Sequence, residues 1–200
     1  PPAALADITR VWAAHDGAWL YLSLEVAGLV NVQAMRGTLH LVLDADGDPR
    51  TGGDAFGLPG AEWVLDLSRQ DRPQPGGYGA GFALRPVGPE GIGPYTSSYD
   101  ARVTGVPTHA SRRFEIRLAR EASTGAEGYG GLGSSVRARW VSTRGEVVLD
   151  ETEAFAVELN HPPGPEPIPM NPGPLQRIPG ALRVAHWNVA EGRFRNPEGH

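Results

Sequence analysis

An all-β domain, built as a two-layer antiparallel sandwich of jelly-roll type and followed by an extended Pro-rich C-terminal tail, is the fold this sequence predicts. Three observations lead there. Apolar and polar residues alternate with period two in segment after segment across the first 160 residues, the spacing of strands with one buried face. The alternating runs are short and stop at Gly, Pro or Asp, and a chain of 200 residues with 27 Gly and 19 Pro leaves little room for long helices. No self-similar period of about 20–50 residues is visible, which disfavours solenoids and propellers.

Taken in order, a weak strand is expected over Ile8 to Ala14. From Ala18 to Val26, Leu20, Leu22, Leu24 and Val26 point one way and Trp19, Tyr21, Ser23 and Glu25 the other. Thr38 to Asp44 repeats the pattern with Leu39, Leu41 and Leu43. Trp63, Leu65 and Leu67 alternate with Glu62, Val64 and Asp66; Phe114, Ile116 and Leu118 alternate with Glu115 and Arg117. Val136, Ala138 and Trp140 oppose Arg137 and Arg139, and Phe155, Val157 and Leu159 close the series. Weaker strands are expected at Ala80 to Val87, Ala101 to Val106 and Val147 to Asp150. The run Ala119 to Ala126 has room for a helical turn, and Pro73 to Gly81 and Gly88 to Ser98 read as surface loops. Trp12, Trp63 and Trp140 fall in phase with aliphatic neighbours and are expected in the core.

Composition then removes whole classes of function. The absence of cysteine excludes thiolate zinc sites, iron–sulfur clusters, a cysteine nucleophile and disulfides. A net charge of −5 argues against nucleic-acid binding by the sandwich, which needs clustered positive charge. No apolar run is long enough for a transmembrane helix. All 18 cationic residues are arginine, which reads as coding bias rather than function. The six histidines, at 15, 40, 109, 161, 186 and 200, lack metal-site spacing, and neither a G-x-S-x-G nucleophile turn nor a phosphate loop occurs. The sequence thus predicts a protein without catalysis of its own. Its opening at Pro1 rather than Met sets the expectation of an exported protein, periplasmic, surface-bound or extracellular, whose signal segment has been cleaved, or of a fragment.

The sharpest motif comes directly after the strand that ends at Leu43: Asp44-Ala-Asp46-Gly-Asp48-Pro-Arg-Thr51-Gly52. Three carboxylates at alternate positions gather hard oxygen donors around one loop, the donor type that Ca²⁺ takes at about 2.3–2.6 Å. It is not an EF-hand, because Pro49 stands where that loop needs Gly and Ala55 where it needs a bidentate Glu. A calcium loop of a β-sandwich fits better, with Glu62 as a remote carboxylate if the Gly52 to Gly60 excursion folds back. The alternative is an acidic β-turn with solvated side chains. A second candidate set is Trp19 and Tyr21, aromatic rings opposite the leucines of their strand, suited to stacking a sugar or contacting a protein partner. Its alternative is that both sheet faces are partly covered, with the rings packed under loops or a neighbouring domain.

The succession ITRVWAAHDGAWLYLSLEV, LVLDADGDPRTGG, GAEWVLDLS, FEIRLARE and VLDETEAFAVEL resembles the carbohydrate-binding-module family 9-like (DOMON-like) β-sandwich domains over roughly residues 5 to 159. In that family a strand ending in D-x-D, a following T-G and a later G-A-[DE] accompany a structural calcium. The resemblance therefore implies Ca²⁺ held by Asp44, Asp46, Thr51 and Glu62, with Glu62 where Asp is frequent.

The composition changes at His161. HPPGPEPIPMNPGPLQRIPG, residues 161–180, carries eight prolines, which remove backbone donors and fix φ. It reads as a semi-rigid linker able to span about 50–60 Å at ~3.1 Å per residue. Within residues 181–200, LRVAHWNVA (182–190) resembles the first strand of the endonuclease/exonuclease/phosphatase family, where the Asn of the W-N pair, here Asn188, helps organise the metal and phosphate site. The acidic ligand and the later His, Asp and Asn that such chemistry needs are not in the chain, so a phosphodiesterase is an expectation only for a longer parent. The organisation expected is a sandwich module over 1–160, a linker over 161–180 and a nuclease-like strand or tail over 181–200. Its function is expected to be binding, to a glycan or a protein. The alternative is a structural subunit of a larger assembly, docking through the sandwich and its extended tail.

Overall fold

The computed structural model describes residues 7–32, 35, 37–68, 82–96, 102–107, 110–121 and 130–160. The expected loop at Pro73 to Gly81, most of the helical turn expected over Ala119 to Ala126, the linker over 161–180 and the terminal segment 181–200 with Asn188 lie outside the described residues. Within them the fold is all-β, with thirteen strands, every pairing antiparallel and no helix, so none is long and apolar enough to cross a membrane.

The strands are β1 (Ile8–His15), β2 (Trp19–Val30), β3 (Thr38–Asp44), β4 (Gly53–Ala55), β5 (Leu58–Ala61), β6 (Trp63–Asp66) and β7 (Ala83–Gly88). They continue with β8 (Gly91–Ile92), β9 (Thr104–Val106), β10 (Ser111–Ala119), β11 (Ser135–Arg144), β12 (Val147–Glu151) and β13 (Phe155–Glu158). A smaller sheet has the order β1-β2-β10-β9; a larger one runs β12-β11-β3-β6-β7-β8, with β13 also paired to β11; β4 and β5 form a separate hairpin. The loop expected over Gly88 to Ser98 is in part a strand: β8 turns back onto β7 through Gly91, whose φ of 102° favours glycine.

The leucine phase of the sequence explains the core. Leu20, Leu22 and Leu24 of β2 and Phe114, Ile116 and Leu118 of β10 meet Leu39, Leu41 and Leu43 of β3, Leu65 of β6 and Trp140 of β11 in one buried cluster, so both sheets face a shared interior. Removing such a side chain from water is worth about 1.5–3 kcal/mol.

The larger sheet is not half-exposed, as alternation alone predicts; every residue of β3 and β6 is buried. The hairpin β4–β5 lies on the outer face, where Ala55, Leu58 and Ala61 pack with Val42, Val64, Val87 and Val141 in a second cluster. Trp12 corrects another expectation, because it is exposed rather than core. The register between β1 and β2 shifts between Ile8 and Arg10. One extra residue reverses the phase, so Ile8 and Val11 face inward opposite Val26 and Leu24 while Trp12 faces out opposite Ser23.

Candidate functional site

Two side-chain constellations carry candidate chemistry, one on each sheet. The first sits at the end of β3. Period two puts Asp44 on the same outer face as Val42 and His40, and the chain then turns through Gly47, whose φ is 73° and whose N–H donates to Asp44 Oδ1 at 2.7 Å. The hairpin β4–β5 folds back, as the sequence required of Glu62, and that residue returns to the turn. Its Oε2 accepts from the Ala45 N–H at 2.7 Å and its Oε1 from the Thr51 hydroxyl at 2.7 Å.

One oxygen each of Asp44, Asp46 and Glu62 lie within 4.8 Å of one another. Two oxygens bound to one hard cation stand at most about 5 Å apart, so the spacing fits a single ion. The Thr51 hydroxyl also lies 3.1 and 3.2 Å from the two carboxylate oxygens of Asp46 and 2.9 Å from the Asp48 carbonyl. One hydroxyl proton satisfies one of these acceptors, and the others face each other. Arg137 Nη1, 3.3 Å from Asp44 Oδ2, is a single positive charge beside three carboxylates.

Burial pushes the Asp44 carboxyl up, against the Gly47 N–H and the Arg137 charge, with Asp46 adding to the rise. Burial does the same to Glu62, against its bonds from Thr51 and Ala45, and Asp46 and Asp44 raise it further. Two glycines let the hairpin base close over these groups. A Cβ on Gly60, at φ 84°, would stand 2.5 Å from Pro49 Cα and 3.1 Å from Asp44 Oδ2. One on Gly52 would stand 2.2 Å from the Ala61 carbonyl and 3.0 Å from Glu62 Oε1. The cradle and its all-oxygen donors fit a hard metal ion.

Asp48, the third carboxylate of the motif, is not among the gathered oxygens. Arg50 Nε and Nη2 donate to it at 2.8 and 2.6 Å, and these hydrogen bonds hold its carboxyl down to about 2. The local arginine captures it on the exposed side of the turn.

The second constellation is a groove of about 690 Å³ on the outer face of the smaller sheet. Register sets its layout across β1, β2, β10 and β9: one row is Trp12, Ser23 and Glu115, the next Ala14, Tyr21, Arg117 and Thr104. Trp12 and Tyr21 are 39% and 38% exposed, which leaves ring surface open to a ligand. Asp16 fixes the Tyr21 ring, accepting its hydroxyl at 2.9 Å and the N–H groups of Ala18 and Trp19 at 2.8 Å each. Burial raises the Asp16 carboxyl, but those bonds and the Arg120 charge outweigh it and hold it below the usual range.

Tyr21 and Trp19 both stand on the face opposite the leucines, as the sequence placed them, but Tyr21 is exposed and Trp19 is covered. Trp19 is 3% exposed, packed with Ala18 and Ala119 and covered by the guanidinium groups of Arg117 and Arg102 at 4.0 and 4.8 Å. It is a base for those arginines, not part of the groove lining. The groove residues that sequence reasoning missed are Trp12, Arg113, Glu115 and Arg117. The signal was present in R-x-E-x-R, residues 113–117, on the polar phase of β10.

A third group was not foreseen. His40 Nδ1 lies 2.6 Å from Asp66 Oδ1 and its Nε2 2.9 Å from Thr143 Oγ1, the order carboxylate, imidazole, hydroxyl. Tyr95 and Arg85 also donate to Asp66, at 2.8 and 3.1 Å, and Phe56 at the hairpin tip stacks on His40 with centroids 4.6 Å apart. His40, Asp66 and Thr143 are buried, so no substrate reaches the hydroxyl in this arrangement. The network ties β3, β6, β7 and β11 together under the hairpin.

Comparisons of the chain with protein-family models, with curated proteins and with solved structures give no match.

Proposed function

We propose that the chain is a non-catalytic, calcium-stabilised accessory module of an exported protein, folded as a two-layer, jelly-roll-like β-sandwich of the carbohydrate-binding-module family 9-like kind. Its ligand, a glycan or a glycan-bearing surface, occupies the groove on the smaller sheet. The observation that carries this reading is the pair of exposed rings, Trp12 and Tyr21, on a sheet face furnished with guanidinium, carboxylate and hydroxyl groups. Aromatic faces take the apolar face of a sugar ring, and the polar rim takes its hydroxyls. Pull-down on immobilised glycans should give saturable binding that Tyr21→Ala weakens roughly tenfold or more at unchanged melting temperature. Failure to bind any member of a panel of neutral and charged glycans would count against the module.

Calcium is the ion that suits the gathered oxygens of Asp44, Asp46 and Glu62, with Thr51 beside them, since its flexible coordination takes carboxylate, carbonyl and hydroxyl oxygens alike. Extracellular calcium modules work with dissociation constants of about 10⁻⁴–10⁻³ M, in keeping with export. The pH dependence comes from the raised carboxyls of Asp44 and Glu62. Without metal, the folded state holds protons on these groups more tightly than the unfolded chain, so their contribution to stability falls as pH rises through the folded pKa. Calcium needs them ionised. The increment in melting temperature given by calcium should be largest at neutral pH and shrink on acidification. An increment independent of pH between neutrality and about pH 4, the ordinary carboxylate range, would exclude these two carboxylates as ligands.

A second reading, a structural subunit of a larger assembly, has its own support. β12 is an edge strand of the larger sheet and exposes Val147, Val148 and Leu149, at 62%, 45% and 37%. Exposed apolar edges mark places where another chain pairs. Stoichiometric co-purification with a protein, lost on Val148→Lys, would favour this reading over the glycan module.

A further inference from the structure

The charge of the groove identifies its ligand more narrowly, on the reading that it binds a saccharide. The chain holds 23 acidic residues against 18 cationic ones, yet the outer face of the smaller sheet inverts that balance. Register sets Arg10, Arg113 and Arg117 on this face against Glu25 and Glu115, and Arg102 joins them on the Trp19 ring.

Arg113 is built into place. Its guanidinium lies 4.8 Å from the Trp12 ring centroid, its Nε–H donates to Ser23 Oγ at 3.0 Å, and its Nη2 stands 3.0 Å from Glu115 Oε1. Among the described residues those polar contacts engage two of its five N–H donors and hold the plane of the group. A planar fork held in this way matches a carboxylate. The groove lies across the face of the sheet rather than along an edge, and its central strands β2 and β10 are already paired on both sides, so recognition there rests on side chains. That disfavours an acidic peptide, which docks by adding a strand to a free edge.

We infer that the groove is a site for an acidic saccharide, a chain of uronate units. Arg113 and Arg117 take the carboxylates, Tyr21 and Trp12 take the ring faces, and Glu115 and Thr104 meet the hydroxyls. The probe is a tetramer of galacturonate compared with its methyl ester, which keeps the rings and hydroxyls and loses the charge. Calorimetric titration of the full chain at low salt should show saturable binding of the acid and roughly 10- to 100-fold weaker binding of the ester. Arg113→Gln should reduce the preference, Arg113→Gln combined with Arg117→Gln should abolish it, and Tyr21→Ala should weaken both ligands. Equal affinity for acid and ester would overturn the inference and leave the saccharide groove standing. Binding of neither would overturn both, and oligoglutamate bound as tightly as the uronate would show a peptide site instead. A preference that survives the double substitution would also overturn the assignment.

Discussion

Asp66→Ala is expected to lower unfolding stability by about 3–5 kcal/mol, the largest single-residue effect outside the apolar core. Asp66 is 1% exposed and accepts from His40, Tyr95 and Arg85, so its loss leaves an imidazole, a phenol and a guanidinium without their common acceptor. In a domain of this size each kcal/mol moves the melting temperature by about 2–4 °C, which places the shift on the order of 10 °C. Asp66→Asn keeps an acceptor for Tyr95 and loses the charge, and should fall between. Urea denaturation with an unchanged slope would confirm that the folded state is what has been weakened. A change under about 1 kcal/mol for Asp66→Ala, the range of an ordinary surface substitution, would mean the network is not a tie across the larger sheet.

Calcium is expected to raise the melting temperature by about 5–10 °C over the chelated protein when present at about a hundred times its dissociation constant. Mass action then supplies about 2.7 kcal/mol to the native state. Asp44→Ala combined with Asp46→Ala should abolish the increment, and Asp48→Ala should preserve it, because Asp48 is held by Arg50 rather than by the gathered oxygens. An increment that disappears with Asp48→Ala would return that residue to the metal site.

What was legible in the sequence tracks what is local. The leucine phases of β2, β3 and β10 named the core because a strand's period requires no knowledge of its partner. The D-x-D loop and the return of Glu62 were legible because the hairpin between them is short. Asp48 lies outside the gathered oxygens because Arg50, two residues on, takes its carboxylate, which spacing alone does not say. Trp12 was misjudged because a bulge between Ile8 and Arg10 reverses the phase, and a bulge leaves no mark in an apolar pattern. His40 meets Asp66 and Thr143 across 26 and 103 residues, and Arg113 meets Ser23 across 90, distances over which only the register brings partners together. The groove is therefore a product of strand order, and the carboxylate cluster a product of one loop and the short hairpin that follows it.

The indole N–H resonance of Trp12, monitored in a ¹⁵N-labelled, calcium-loaded protein as a uronate oligosaccharide is added, tests the binding module most directly. Trp12 is exposed at the groove, whereas Trp63 and Trp140 are 4% and 0% exposed in the core. The account predicts a saturable shift at Trp12, accompanied by backbone shifts in β2 and β10, with Trp63 and Trp140 unmoved. Saturable shifts confined to Val147–Leu149, or no saturable shift with any glycan, would contradict it.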